Sequence, residues 1–189
     1  MRVYLAGPDV FLPDPHARAA ALKAICTSHG LTGVSPLDDF PNEPEEWSNL
    51  PEPFRIAQRN EAHIASCAAL VANLTPFRSP SADVGTVFEI GFMRALHRPV
   101  YGWTNDPTDF AARTRSFLGM EAKIDHEGML IEDFAPLADN LMIDSAISAS
   151  GGRLIRHPAC PQAERWTSLD AFRMCLAELV RRAAEPTGD

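Results

Sequence analysis

Four short apolar runs recur along this chain, each followed by a segment of different character. They are Val3-Tyr4-Leu5-Ala6, Leu31 to Val34, Ala69-Leu-Val-Ala-Asn73 and Val100-Tyr-Gly-Trp103. A strand that is apolar throughout must be covered on both faces, which is the habit of parallel sheets. The stretches between the runs read as helices. Asp14-Pro15 supplies an N-cap with proline at the first helical position, and Gly30 a stop. Phe54 to Ser66 is a second helix, and a third ends near His97, ahead of Pro99. Strand–helix alternation on this scale predicts a doubly wound parallel sheet (flavodoxin-like or Rossmann-like) of about five strands, with helices on both faces. Further on, Met129 to Ile131 is expected as a strand and Leu137 to Ile147 as a helix. Thr167 to Ala184 is expected as an amphipathic helix, with Leu169, Phe172, Leu176, Leu179 and Val180 on one face.

At 189 residues the chain is expected to form a single domain over 1–189, large enough for a core without staples. Two stretches stand apart: a proline-rich, acidic loop over 36–53 and a tail over 185–189. The loop is long for a connection in a compact domain, so it is expected to cover the active site. The formal net charge of −8 argues against a nucleic-acid backbone and against an anionic membrane surface as partners. No apolar run is long enough to span a bilayer. The start, MRVYLAGPDV, goes straight into a strand and lacks a signal-peptide layout, so a cytoplasmic location is expected. Cys26, Cys67, Cys160 and Cys175 stand at no metal-ligand or redox spacing, and no His-x-x-x-His pair occurs. No metal site is expected.

In open parallel sheets ligands bind beyond the carboxyl ends of the strands, where the strand order reverses. Three loops open at that end: Gly7 to Phe11, Pro36 to Phe40, and Leu74 to Gly85. The third leads to Ser81-Ala-Asp-Val-Gly-Thr-Val-Phe-Glu-Ile-Gly-Phe92, in which Glu89 stands among apolar neighbours. An unpaired buried carboxylate is costly, so Glu89 needs a reason. One reading is a capping box, with Thr86 as N-cap and Glu89 reaching back from the third helical position. The other is a nucleophile or general base held in a pocket, converging with Asp83 only if Asp83 lies before the helix.

The chain resembles the nucleoside 2′-deoxyribosyltransferase family. The resemblance is carried by Tyr4-Leu-Ala-Gly-Pro-Asp-Val-Phe11, Pro36-Leu-Asp-Asp39 and Val71-Ala-Asn-Leu-Thr-Pro-Phe77. Asp83-Val-Gly-Thr-Val-Phe-Glu-Ile-Gly91 and Asp139-Asn-Leu-Met142 complete it, in the family's order. It implies that Glu89 attacks the anomeric carbon of a 2′-deoxynucleoside and forms a glycosyl ester, which a second free nucleobase then takes over, with slower hydrolysis. It also implies that Tyr4 orients Glu89 and that Asp83 contacts the sugar or base. Gly7, Phe11, Asp38 and Met142 would line the substrate pocket. Asn140 would come from a neighbouring subunit, so active sites would be shared across a homo-oligomer of two or more chains. No metal or cofactor is implied.

The match has a gap. Many family members carry an aspartate just before the third strand, where this chain has Ala68, which leaves protonation of the leaving base to Asp83, Asp38 or Asp39. Two other readings stand beside base exchange. One is an N-glycosidase that hydrolyses nucleosides or their 5′-monophosphates, with Arg78, Ser79 and Ser81 as phosphate contacts. The other is a nucleoside-binding module without catalysis.

Overall fold

Arg2–Ala6 forms the first strand, β1, and all but its first residue are buried in the computed structural model, which describes residues 1–185. A short 3-10 turn over Pro8–Phe11 leads into α1, Pro15–Ser28, whose N-cap Asp14 accepts from the Ala17 amide at 3.0 Å. Then follow β2 (Thr32–Val34), α2 (Glu52–Ala65), β3 (Ala69–Asn73), α3 (Val84–Ala95) and β4 (Val100–Thr104). The later elements are α4 (Phe110–Leu118), α5 (Leu141–Ala149), β5 (Leu154–Arg156) and α6 (Asp170–Ala183).

The five strands form one all-parallel sheet in the order β2-β1-β3-β4-β5. The order reverses between β1 and β3, which pair with Tyr4 opposite Leu70, so the switch point lies between the first and third strands. Each face of the sheet buries its own core. Val3, Leu5, Val71 and Trp103 pack against Leu22 and Ile25 of α1 and Phe172 and Leu176 of α6. Tyr4, Leu70 and Ala72 point the other way, towards Ile64 of α2, Ile90 and Met93 of α3 and Ile147 of α5. The period of two along a strand therefore turns Tyr4 towards α3 and its neighbours Val3 and Leu5 away from it.

Three expectations needed correction. The fifth strand is Leu154–Arg156, not Met129 to Ile131. Around the latter, Ile124 and Leu130 form only an isolated antiparallel bridge across the Asp125–Gly128 turn. The real strand has three half-buried residues and ends in arginine, so it carries no apolar run to read. The helix expected from Leu137 starts at Leu141. The Ala138 and Asp139 amides donate to the Asp144 carboxylate at 3.2 and 2.9 Å, and Asn140 then caps the helix by accepting from Met142 at 3.0 Å. These side chains offer the backbone an alternative to another helical turn. The helix expected from Thr167 starts at Asp170. Of the 185–189 tail, residues 186–189 lie outside the described residues.

Candidate active site

The capping reading of Glu89 is decided by the cap itself. Asp83, not Thr86, ends the loop into α3: its Oδ2 accepts from the Thr86 amide at 3.0 Å and from the Thr86 hydroxyl at 3.2 Å. The helix begins three residues earlier than the capping box requires, which moves Glu89 into its second turn. There the carboxylate meets a side chain instead of a backbone amide. The Tyr4 hydroxyl donates to Glu89 Oε1 at 2.6 Å, across 85 positions of sequence. Tyr4 is fully buried and Glu89 half-buried.

Electrostatics at this pair follows from burial. Removal from water raises the Glu89 carboxyl, the Tyr4 hydrogen bond pulls it part of the way back, the charge of Asp83 adds a smaller rise, and the net is about 7. Tyr4 is held far above the ordinary phenol range, by burial first and by the Glu89 charge second. It is therefore a fixed hydrogen-bond donor at any accessible pH. A buried carboxyl raised towards neutrality beside a fixed donor is the kind of group that collects at functional sites.

The carboxyl ends of β1 and β3 are tied together by groups that sequence reading did not single out. Asn73, the last residue of β3, donates to Asp9 Oδ2 at 2.8 Å and accepts from the Thr75 amide at 3.0 Å. Asp9 in turn receives Arg18 at 2.7 Å. Gly7 sits beneath this bond at φ 151°, and a β-carbon there would lie 2.7 Å from Asn73 Cβ and 2.9 Å from Asp9 Oδ2. Only glycine lets the first loop close on β3. Ala68, by contrast, is exposed at the amino end of β3, the wrong end of the strand for the site. Asp9 lies within the Gly-Pro-Asp-Val-Phe motif, but its burial and its bond to Asn73 are tertiary facts.

A second tether runs through Asp139, which is fully buried. It accepts from the Ala82 amide at 2.8 Å, from the Ser81 hydroxyl and from the Asn140 amide at 2.8 Å, and the Arg113 guanidinium lies 3.8 Å away. Arg113 itself donates to the carbonyls of Pro80, Thr108 and Ala138 at 2.5, 2.8 and 2.7 Å. The loop that delivers Asp83 is thus fixed to the segment that presents Asn140. Asn140 donates to Glu132 at 2.5 Å, and Met142 beside it is 68% exposed. On the outer side of α3, Val84 (84%) and Phe88 (60%) are also exposed.

The other candidates have partners of their own. Asp38 is engaged by Lys23 at 2.8 and 3.0 Å and by the Ser35 amide at 3.1 Å, so its carboxylate anchors the loop after β2. His63 donates to the Asp38 carbonyl at 3.1 Å and meets the Phe40 ring edge-on, while Phe40 stacks on Trp47 at 5.7 Å. This loop and α2 enclose a cleft of about 610 Å³ lined by Leu37, Asp38, Phe40, Arg59 and Asn60. Phe11 is 56% exposed and stacks on Phe77 at 5.2 Å. Among the described residues, no three His, Cys, Asp or Glu side chains are grouped to hold a metal ion, and no helix is long and apolar enough to cross a membrane.

The model of the family described as nucleoside 2-deoxyribosyltransferase matches residues 3–142. The chain belongs to that family. The match includes Tyr4, Asp83, Glu89 and Asn140 and ends at Met142, before α5 is complete. A 2-desoxiribosyltransferase from Leishmania mexicana is similar in structure, with a TM-score of 0.57 at 29% identity, over 75% of this chain and 84% of its own. A conserved protein from Enterococcus faecalis V583 shares the fold more fully, with a TM-score of 0.61 at 20% identity over 96% of this chain and 98% of its own. An uncharacterized protein of Schizosaccharomyces pombe is 28% identical over 95% of this chain and 89% of its own length.

Proposed function

We propose that the protein exchanges the base of 2′-deoxynucleosides through a covalent ester on Glu89. The observation that carries this reading is the 2.6 Å bond from a buried Tyr4 to Glu89, beside the switch point of the sheet. A Glu89 oxygen attacks C1′, the C1′–N bond breaks, and its electron pair leaves with the base, which takes up a proton. A nitrogen of the second base then attacks C1′ from the side the first base left, the C1′–O bond breaks and returns Glu89 as carboxylate, and the incoming base gives up its N–H proton, which balances the one taken up by the leaving base. Two inversions at one carbon give net retention. The centre at C1′ is positive in both transition states, so it offsets the cost of a desolvated Glu89 when it is needed and not before. Tyr4 holds one carboxylate oxygen and aims the other.

Asp83 bears on the substrate class. The first amides of a helix are the natural cradle for a phosphate. Here the Asp83 carboxylate already occupies the start of α3 and would repel one. That favours an unphosphorylated sugar over a nucleotide. The exposed Val84, Phe88 and Met142 lie on neighbouring parts of α3 and α5, an apolar surface suited to a second copy of the chain. In this reading Asn140 and Met142 of the partner subunit complete each site.

The test is deoxyinosine with free adenine, followed by chromatography, for wild type and Glu89→Ala. Deoxyadenosine from the wild type alone is the expected result. Free hypoxanthine without deoxyadenosine would make the protein a hydrolase, and binding without any product would make it a non-catalytic module. Sedimentation of the wild type beside Phe88→Glu tests the assembly, which should dissociate in the variant.

A further inference from the structure

We infer that Glu132 is a positioning residue: it fixes the Asn140 side chain so that the two groups together receive the sugar's 5′-hydroxyl and turn away a 5′-phosphate. The inference rests on the base-exchange reading, in which Asn140 of one subunit completes the site of the next. It adds the residue that aims Asn140 and the end of the sugar that Asn140 meets.

Glu132 spends both carboxylate oxygens at the start of α5. Oε2 accepts from Asn140 Nδ2 and Oε1 accepts from the Leu141 amide, each at 2.5 Å. The second bond is ordinary capping, which satisfies a free amide at a helix start. The first is different. Asn140 already caps α5 through Oδ1, which accepts from the Met142 amide at 3.0 Å, and its own amide donates to Asp139 at 2.8 Å. A bond to Nδ2 satisfies no further backbone group of the helix. It acts on the Asn140 side chain alone.

The two bonds of that side chain are of opposite polarity. A backbone N–H requires an oxygen and a carboxylate requires an N–H, so the amide has one orientation only. What it presents beside Glu132 is the second hydrogen of Nδ2, next to a carboxylate with lone pairs to spare. Glu132 is itself held from both sides. Ile131 is buried and donates to the Lys123 carbonyl at 2.9 Å, and Asp133 pairs with Arg115 at 2.5 Å. That arginine is thereby taken, and among the described residues no cation pairs with Glu132. Glu132 and Asn140 are both half-buried, and the neighbouring Leu141 and Met142 are exposed.

A donor and an anionic acceptor side by side match a hydroxyl, which accepts with its oxygen and donates with its hydrogen. They mismatch a phosphate, whose charge has the same sign as that of Glu132. Deoxyribose has two hydroxyls. The one at C5′ stands furthest along the sugar from C1′, where Glu89 of the other subunit acts, so it is the one left for a neighbouring chain.

The experiment compares deoxyinosine, 2′,5′-dideoxyinosine and deoxyinosine 5′-monophosphate as sugar donors to free adenine, in wild type, Glu132→Gln and Glu132→Ala. Glutamine keeps the length but has one acceptor oxygen for two donors and no charge, while alanine removes both bonds. The Asn140 cap of α5 remains in each. Both variants should raise KM for deoxyinosine about 10-fold or more with kcat within about 2-fold, and change 2′,5′-dideoxyinosine by less than about 2-fold. The preference in kcat/KM for deoxyinosine over its monophosphate should fall about 10-fold or more. Equal losses on deoxyinosine and its 5′-deoxy analogue would reduce Glu132 to a helix cap. No loss on either, or an undiminished preference over the monophosphate, would equally overturn the inference. Co-expression of Glu132→Gln with Glu89→Ala sets an intact Glu132 opposite an intact Glu89 in mixed assemblies. Sites with the wild-type KM should reappear, and a mixture that keeps only the variant's KM would refute action across subunits. Calorimetric titration of deoxyinosine and its 5′-deoxy analogue separates the two readings. A Glu132-dependent preference for deoxyinosine without any transfer would defeat base exchange and spare Glu132. Base exchange that ignores Glu132 would do the reverse.

Discussion

Replacing Tyr4 by phenylalanine removes one oxygen and, with it, the donor that keeps Glu89 ionised. The bond is short, 2.6 Å, and ends on a carboxylate that burial has raised to about 7. A hydrogen bond to a charged group contributes about 1.5–3 kcal/mol, which at 1.36 kcal/mol per pKa unit is about one to two units. Phenylalanine keeps the ring packing, so the expected change is in Glu89 alone, from about 7 to about 8–9. At pH 7 the ionised fraction then falls from about a half to between about a tenth and a hundredth. Transfer under kcat/KM conditions should drop about 5- to 50-fold at pH 7 and return to within a few-fold of wild type near pH 9.5. The assay is the pH dependence of kcat/KM for deoxyinosine in both proteins. The wild-type rate should rise through about pH 7, and the variant's limb should lie one to two units higher. A limb that stays near 7 while the rate falls equally at every pH would refute the argument, because Tyr4 would then act otherwise than through the charge of Glu89.

Three further outcomes are expected. Glu89 ionises less readily folded than unfolded, so its contribution to stability is present below about pH 4.5 and is lost as pH rises towards about 7. A shift from 4.5 to about 7 is about 3 kcal/mol, so Glu89→Gln should melt higher than wild type at pH 8 and level with it near pH 4.5, by calorimetry. Asp139→Asn leaves at least one of the Ala82 and Asn140 amides or the Ser81 hydroxyl facing a buried donor, and should cost about 1–3 kcal/mol in urea unfolding. An unchanged midpoint would show that the Asp139 tether is dispensable. Gly7→Ala drives a methyl group to 2.7 Å from Asn73 Cβ and should cost about 1–3 kcal/mol by the same measurement, while a neutral result would mean the loop gives way easily.

The sequence by itself determined the sheet. Val3 to Ala6, Ala69 to Asn73 and Val100 to Trp103 are apolar on both faces, and such strands have no stable arrangement except between two helical layers. Period-two alternation also committed Tyr4 to one face, and the motifs around Glu89 carried the family. Beyond the Tyr4–Glu89 pairing that the resemblance implied, it left open the facts that join distant residues. Whether Glu89 capped its own helix or met a partner depended on Asp83 ending the loop first, a contest of local hydrogen bonds that spacing does not resolve. That Asn73, at the carboxyl end of β3, ties the first loop to the third strand through Asp9 was equally beyond local reading. Leu154–Arg156 was missed because three half-buried residues leave no periodic trace. Asp139, Arg113 and the Phe77–Trp166 contact bring together residues 25 to 89 positions apart. Their polar and aromatic groups look like ordinary loop composition until the fold buries them. Apolar patterning acts locally and can be read locally, whereas a hydrogen bond to a buried carboxylate exists only once packing has excluded the water that would otherwise replace it.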